Sequence, residues 1–392
     1  MEVYILDSLY RRVQVVDRFE SLIWTERFSA WGDVELHIQS TNENRTRFQA
    51  GVNLAINESY RVMTVETIED KLDDEGKAIL IVKGRSIESI LEKRLAVNTL
   101  TAITSDTKWS LTDVPTAIIR TMFHNVCVLG NVNSGDIIPG LVEGNVIFPS
   151  DTIGEPGDTI TYEFDPRPLY QAIKDLADIY SIGFRIVREP ATNTLYWDVY
   201  MGSDRTSDQT TLPAIIFSPD LQNLHNTSLL TSAALYKNVA YVISAVGHEI
   251  VYLDDVDPTI NGFERNVLIV MASDINDPTP SIASAQMIQR GKEELAKNRR
   301  FQGFDGEVSQ SSGYVYGVHY NLGDLVEIRS GDGSASNMQV TEQIFVSDKE
   351  GDRRYPTLSV NTFITPGSWL AWDFNQHWQD LDPDPLAWAD LP

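Results

Sequence analysis

The stretch from Tyr314 to Val360 constrains the fold more than any other part of the chain. It runs Tyr314-Val-Tyr-Gly-Val-His-Tyr-Asn-Leu-Gly-Asp-Leu-Val-Glu-Ile, then Gly-Asp-Gly, Met338-Gln-Val-Thr-Glu-Gln-Ile-Phe-Val and Tyr355-Pro-Thr-Leu-Ser-Val. Apolar and polar residues alternate in short runs, and each gap holds Gly, Asp, Asn or Ser, so the period is two and the turns are tight. A small antiparallel barrel or sandwich is expected. Within Leu322-Gly-Asp-Leu-Val, Gly323 suits a positive φ, Asp324 can bond its own backbone, and Leu325 and Val326 start the pleat. Nothing in the stretch is equipped for covalent chemistry.

The same alternation fills Val3 to Val82, with turn signals at Gly32-Asp33, Asn42-Glu-Asn, Gly51 and Asp73-Asp-Glu-Gly76. Asp33-Val-Glu-Leu-His-Ile alternates cleanly, which puts His37 on a solvent face. At Arg85 the spacing turns helical, with Ser86 as the cap and Ile87, Ile90 and Leu91 on one stripe. Residues 1–95 are therefore expected to form a first β-barrel domain. Residues 96–160 read as a helical segment with a long loop: Pro115 opens a helix with Ile118, Ile119, Met122 and Phe123 on one face, and 130–157 is rich in Gly, Asn, Asp, Ser and Pro. Residues 161–214 read as an α+β module. Its helix carries Leu169, Ile173, Leu176 and Tyr180 and is expected to end at Gly183, and the runs from Phe184 and Thr194 form a hairpin. Residues 215–365 read as a second β-barrel domain with an inserted helix from Ser281 to Arg299. The fold class is thus mainly β with α+β insertions: two related β-barrel domains per chain plus a helical/α+β lobe. The two β regions are not alike residue by residue, so the duplication would be structural.

Composition narrows function by exclusion. A chain of 392 residues suggests two to four domains, and a net charge of −25 repels phosphate backbones. Cys127 is the only cysteine, which rules out an intrachain disulfide or a thiolate cluster within one chain. It lies in an apolar run and reads as a buried, inert thiol; a nucleophile pair with His124, close by in sequence, is the alternative. The N-terminus has no basic region ahead of its apolar residues, and no apolar run reaches membrane-helix length. Synthesis in a cytoplasm is expected.

No Gly-rich phosphate loop, His-Glu-x-x-His helix or Gly-x-Ser-x-Gly elbow occurs. The six histidines, His37, His124, His225, His248, His319 and His377, are scattered singly, without metal-ligand spacing. Asp254-Asp-Val-Asp257 and Asp274-Ile-Asn-Asp277 lack the central Gly and closing Glu of a calcium loop and read as turns. No catalytic residue, cofactor or metal is expected. The tail from residue 366 to 392 is different in kind. Trp369, Trp372, Trp378 and Trp388 are half of the chain's eight tryptophans, set among Asp373, Asp380, Asp382, Asp384 and Asp390 with no Lys or Arg. Large rings punctuated by acids and prolines suit docking into grooves on a partner, with folding back onto its own chain as the alternative.

Taken in order, these segments resemble a known family. The residues that carry the likeness are Val3-Tyr-Ile-Leu-Asp, Phe28-Ser-Ala-Trp-Gly-Asp-Val-Glu-Leu, Gly84-Arg-Ser-Ile-Glu-Ser-Ile-Leu, Tyr236-Lys-Asn-Val-Ala-Tyr-Val, and Tyr320-Asn-Leu-Gly-Asp-Leu-Val with Val340-Thr-Glu. Over residues 1 to 365 the chain resembles the baseplate hub, or tail-tip hub, of tailed bacteriophages, in the minor-tail-protein form found in siphophages of actinobacteria. The resemblance implies a virion protein that assembles as a homotrimer; some related hubs carry a cell-wall hydrolase, no added segment of that sort is read here, and no enzymatic activity is expected. Two barrels per copy would build a pseudo-sixfold ring that continues the tail tube. The implied neighbours are a distal tail protein or tail-tube ring, the tape measure protein, and downstream tail-tip or receptor-binding proteins. Genomic DNA would pass through the lumen without specific binding, which an acidic lining would favour. The competing reading is a tail-tip protein that binds or hydrolyses cell-wall glycan, with Trp197 or Tyr200 as sugar platforms.

Overall fold

The computed structural model describes residues 1–72, 76–100, 104, 107–144, 159–253, 256–273, 275–276, 278–299, 301–308, 313–329 and 335–360. The fold is mainly β. It divides into two compact units, the first formed by Met1–Ser232 with Phe301–Asn361 and the second built on Ala233–Arg300.

The first unit begins with seven strands: β1 (Val3–Leu6), β2 (Arg12–Val16), β3 (Ser21–Arg27), β4 (Asp33–Gln39), β5 (Asn53–Ile56), β6 (Met63–Leu72) and β7 (Ala78–Ser86), with α1 (Asn42–Arg47) between β4 and β5. Strand β4 shows why they form. Val34, Leu36 and Ile38 point into the core while Glu35 and His37 face outward, as the alternation requires. The expected helix after β7 is a short 3₁₀ turn, Ile87–Lys93, with Ile87 and Leu91 buried. Ser86 precedes it, but its hydroxyl accepts from the Gly32 amide at 2.8 Å and leaves the turn uncapped by that side chain. The demand of a neighbouring strand end outcompetes the local cap.

The middle of the chain supplies β8 (Leu95–Ala96), β9 (Trp109–Asp113), α2 (Pro115–Phe123), β10 (Leu141–Glu143), β11 (Ile160–Phe164), β12 (Arg167–Pro168), α3 (Leu169–Tyr180), β13 (Gly183–Arg188) and β14 (Leu195–Tyr200). Ile118, Ile119, Met122 and Phe123 of α2 and Leu169, Ile173 and Leu176 of α3 are fully buried in one apolar cluster with Phe184, Trp197 and Val199. Each such side chain contributes roughly 1.5–3 kcal/mol by leaving water. The β13–β14 hairpin forms as its sequence indicates, and Asn193 takes the left-handed turn position. Helix α3 stops differently from expectation. Ser181, not Gly183, adopts the left-handed cap, and its hydroxyl donates to Gln339 Oε1 at 2.7 Å. Gly183 instead opens β13, where a Cβ would lie 2.3 Å from the Phe28 ring. Most of the long loop, 145–158, lies outside the described residues.

Strands β15 (Ile216–Phe217) and β16 (Leu224–Ser232) lead to the second unit, which holds β17 (Val239–Ser244), β18 (His248–Tyr252), β19 (Val267–Ala272) and α4 (Pro280–Ala296). Its three strands run in the order β18-β17-β19, and α4 covers one face through Ala283, Met287 and Leu295 packed on Ala240, Val242, Val251 and Val270. Back in the first unit are β20 (Phe301–Val308), β21 (Leu325–Arg329), β22 (Ala335–Asp348) and β23 (Gly351–Val360).

Strands from both ends of the chain join one 13-stranded sheet, whose main path is β16-β20-β23-β22-β3-β4-β7-β6-β5-β1-β2, with β21 paired to β22 and β15. Among the described residues this path has two ends and does not close on itself. The 14-residue β22 makes the join, pairing with β21 and β23 and then, from Glu342 to Ser347, with β3. The opening seven residues of the Tyr314–Val360 stretch depart from the strand expectation. Gly317 takes φ +80° and its amide bonds the Tyr320 carbonyl, so Tyr314 to Tyr320 is a folded loop with Val315 and Val318 exposed.

Candidate functional site

Charged residues gather where three parts of the first unit meet. Glu26 comes from β3, Arg61 from the turn before β6, Glu88 from the 3₁₀ turn, Arg185, Asp198 and Tyr200 from the hairpin, and Tyr316 from the folded loop. Arg61 and Glu88 form an ion pair with both side chains almost fully buried. Arg61 also donates to the Arg27 carbonyl at 3.0 Å, while Glu88 accepts from the Ile186 amide at 2.7 Å. The Glu88 carboxylate thereby ties the 3₁₀ turn that follows β7 to β13. Arg185 donates twice to Asp198 Oδ2, at 3.0 and 2.6 Å, and lies 3.8 Å over the Tyr200 ring. Tyr316 donates to Glu26 Oε2 at 2.9 Å. A small crevice opens beside Glu26, Arg61, Arg185 and Tyr316.

The electrostatics are those of a lock. Burial raises the Glu26 pKa above its ordinary value, with the Arg61 charge opposing the rise. Burial acts to lower Arg61, but the Glu88 charge and its neighbours outweigh it, so the guanidinium is held more firmly protonated than usual. Burial, reinforced by the Glu26 charge, drives Tyr316 well above the usual phenol range. The pairs partner most of these charges, while Glu26 Oε1, Glu88 Oε2 and the Tyr200 hydroxyl are buried without a hydrogen-bond partner among the described residues.

The Leu322-Gly-Asp-Leu-Val turn sits beside this junction. Gly323 has φ +92°, and a Cβ there would meet the Phe28 ring at 2.3 Å. Asp324 accepts from its local Asn321 amide at 2.8 Å and from the distant Ser203 amide at 2.7 Å. Gly202 crosses it so closely that a Cβ would lie 1.8 Å from the Gly323 carbonyl oxygen. Sequence reasoning found the Gly323 turn and missed Gly202, Glu26, Arg61 and Glu88. For the three charged residues the only signal is charge beside apolar residues, and Gly202 carries none.

Other candidates are dispersed. Burial pushes the Cys127 thiol up to about 12, and His124 pairs with Glu143 at 2.6 Å, so the two form no nucleophile pair. His37 pairs with Glu35 at 2.7 Å, and His319 Nδ1 accepts from the Val315 amide. Asp257 accepts from the Thr259 amide at 2.7 Å, as a turn residue would. Asp254, Asp255, Asp274, Asp277, His377 and the tail with Trp369, Trp372, Trp378 and Trp388 lie outside the described residues. Among the described residues, no group of three or more His, Cys, Asp or Glu is placed to hold a metal ion. Trp197 and Tyr200 offer no sugar platform: Trp197 stacks on Phe123 at 4.0 Å, and both rings are at least nine-tenths buried.

A family described as siphovirus ReqiPepy6 Gp37-like protein matches residues 2–358. The chain belongs to this family of siphovirus tail proteins. This Gp37-like protein is accordingly a phage tail structural protein and a component of the virion, and no catalytic family is indicated. No curated protein matches it. Its fold is similar to the tail protein from Neisseria meningitidis MC58, with a TM-score of 0.55 at 12% identity over 94% of this chain and 98% of that one. It is also similar to the 43 kDa tail protein of prophage MuSo2 from Shewanella oneidensis, with a TM-score of 0.53 at 13% identity over 91% and 97%. A third likeness is to prophage tail protein gp18 from Listeria monocytogenes EGD-e, with a TM-score of 0.50 at 13% identity over 93% and 96%. At such identities the likeness is one of fold, and it agrees with the tail-tip resemblance read from the sequence. Among the described residues no helix is long and apolar enough to cross a membrane.

Proposed function

We propose that this Gp37-like protein is the structural hub of the tail tip, acting as a homotrimer whose copies each contribute two related β-barrel domains to a pseudo-sixfold ring. One observation carries the reading: β22 hydrogen-bonds to strands of both β regions and holds them in one sheet. A ring built from two barrels per copy requires that those barrels be fixed to each other. The Arg61–Glu88 pair and the Gly202–Gly323 crossing add to that rigidity. Threefold copies with sixfold pseudo-symmetry match a hexameric tube ring or distal tail protein on one side and threefold parts on the other. The tape measure protein and receptor-binding proteins are the further neighbours, and DNA passes through the lumen unbound, helped by the net charge of −25. The four tryptophans of 366–392 are anchors for a neighbouring tail protein.

Light scattering tests the assembly: a particle of three times the 44.0 kDa chain mass is expected, and a stable monomer overturns it. Density for the intact tail tip would show a bore lined by acids, and a basic bore would remove the lumen argument. Deleting 366–392 is expected to leave the body folded and weaken attachment of the adjacent protein; unchanged tail assembly would count against the anchor role.

A further inference from the structure

The second unit has one covered face and one open one. Helix α4 packs on Ala240, Val242, Val251, Val270 and Ala272. Residues alternating with these point away from α4. The register sets them in rows: Ile250, Tyr241 and Ile269 across one line, and His248, Ile243 and Met271 across the next. Ile269 is 67% and Met271 69% exposed, and Ile243 and Ile250 about 40% each. Arg265 lies over the Tyr241 and Tyr252 rings at 5.7 and 5.6 Å, which adds a guanidinium to a surface otherwise apolar but for His248 at its end. Contiguous Ile, Met and Tyr on the bare side of a three-stranded sheet mark a docking surface.

The position of the chain's last described strand bears on the occupant. Strand β23 pairs antiparallel with β20, with Ser359 opposite Gly303, and β20 pairs with β16, with Phe301 opposite Ser232. The strand end that releases the C-terminal segment after Val360 therefore lies beside the strand ends where the chain leaves for the second unit and returns from it. A segment of about 30 residues reaches up to about 100 Å when extended, and tethering at short range gives it an effective concentration near the millimolar scale. Its chemistry complements the face: Trp369, Trp372, Trp378 and Trp388 for the aliphatic rows, and five aspartates with no Lys or Arg for the Arg265 guanidinium.

We propose that in the free chain residues 366–392 seat their tryptophans on the open Tyr241–Ile269–Met271 face of the same chain's second unit. The inference rests on reading 366–392 as a docking element, and it gives that element an acceptor before the tail assembles; a neighbouring tail protein competes with this face. The test uses the full-length protein with a photo-crosslinking residue at position 271, in a mixture of isotopically light and heavy chains. Crosslinks from position 271 into 366–392 within one chain are expected. Crosslinks only elsewhere, only between chains, or none at all overturn the proposal. In parallel, replacing the four tail tryptophans by Ser in the full chain is expected to speed peroxide oxidation of Met271 by about tenfold, as loss of a contact of about 1.4 kcal/mol would. An unchanged rate overturns it. Failure here with intact dependence of tail assembly on 366–392 would leave the anchor role standing and remove only this acceptor.

Discussion

The two units place polar and apolar groups in opposite ways. The first buries charge, with Arg61, Glu88, Arg185 and Asp198 sealed between strands and paired. The second exposes grease, with Ile269 and Met271 on a bare sheet face. Buried pairs add little net stability over an apolar replacement, but breaking one is costly, so they penalise every arrangement in which the partners part. An exposed apolar face has the reverse logic: it gains nothing until something covers it. The first unit is thus organised for internal fixity and the second for contact.

Glu88→Ala is the severest challenge to the first half of that contrast. It strands the Arg61 guanidinium and removes the acceptor of the Ile186 amide. A loss of about 3–5 kcal/mol is expected in urea unfolding monitored by the buried Trp24 and Trp197. The double change Arg61→Leu with Glu88→Leu should recover most of it. A cost below about 1 kcal/mol for the single change would mean that the pair fixes nothing.

Gly202→Ala tests fixity through sterics alone. The new methyl would meet the Gly323 carbonyl oxygen at 1.8 Å, and backbone cannot swing aside as a side chain can. We expect a loss of about 3 kcal/mol in the same assay. A neutral result would show that the crossing is loose and that the junction tolerates movement.

Smaller still is the pH effect of Glu26. Burial raises its folded pKa above the ordinary 4.5, against the pull of Arg61, so the folded state holds this proton to higher pH than the unfolded chain does. Stability from this group is complete below 4.5 and is lost as pH rises toward the raised folded value. Glu26→Gln, which keeps an acceptor for Tyr316, should flatten that part of the Tm profile and raise Tm at neutral pH. An identical slope in both proteins would place the proton elsewhere in the cluster.

Much of this was legible in the sequence because it depends on periodicity. The alternation in β4, the helical stripes of α2 and α3, the β13–β14 hairpin and the left-handed Gly323 all follow from local pattern. The misses have a common cause. Ser86 bonds Gly32 instead of its helix turn, Ser181 takes the cap position expected nearer Gly183, and Tyr314 to Tyr320 folds as a loop because Gly317 turns the chain. In the first two, a partner distant in sequence outcompetes the near one. The charge cluster was illegible for the same reason, since Glu26, Arg61, Glu88 and Tyr316 become neighbours only after three regions pack. Likewise, alternation announced strands in both β regions but carried nothing of the β22–β3 pairing that joins them.

The least costly change is the one that separates the two units best. Ile269→Ser with Met271→Ser removes two of the most exposed apolar side chains of the second unit without touching the Ala240–Val242–Val270 core beneath α4. Unfolding free energy should fall by no more than the roughly 1.4 kcal/mol of the tail contact, since surface sites themselves cost within about 0.5 kcal/mol. If the face is a contact surface, the change should appear instead in its protection: amide exchange in β19 should quicken in the variant while β3 and β22 stay as slow as before. A loss of 2 kcal/mol or more would mean that these side chains hold the second unit together. The opposition between a unit built for fixity and a unit built for contact would then fail at its second half, whatever the first unit's buried charges do.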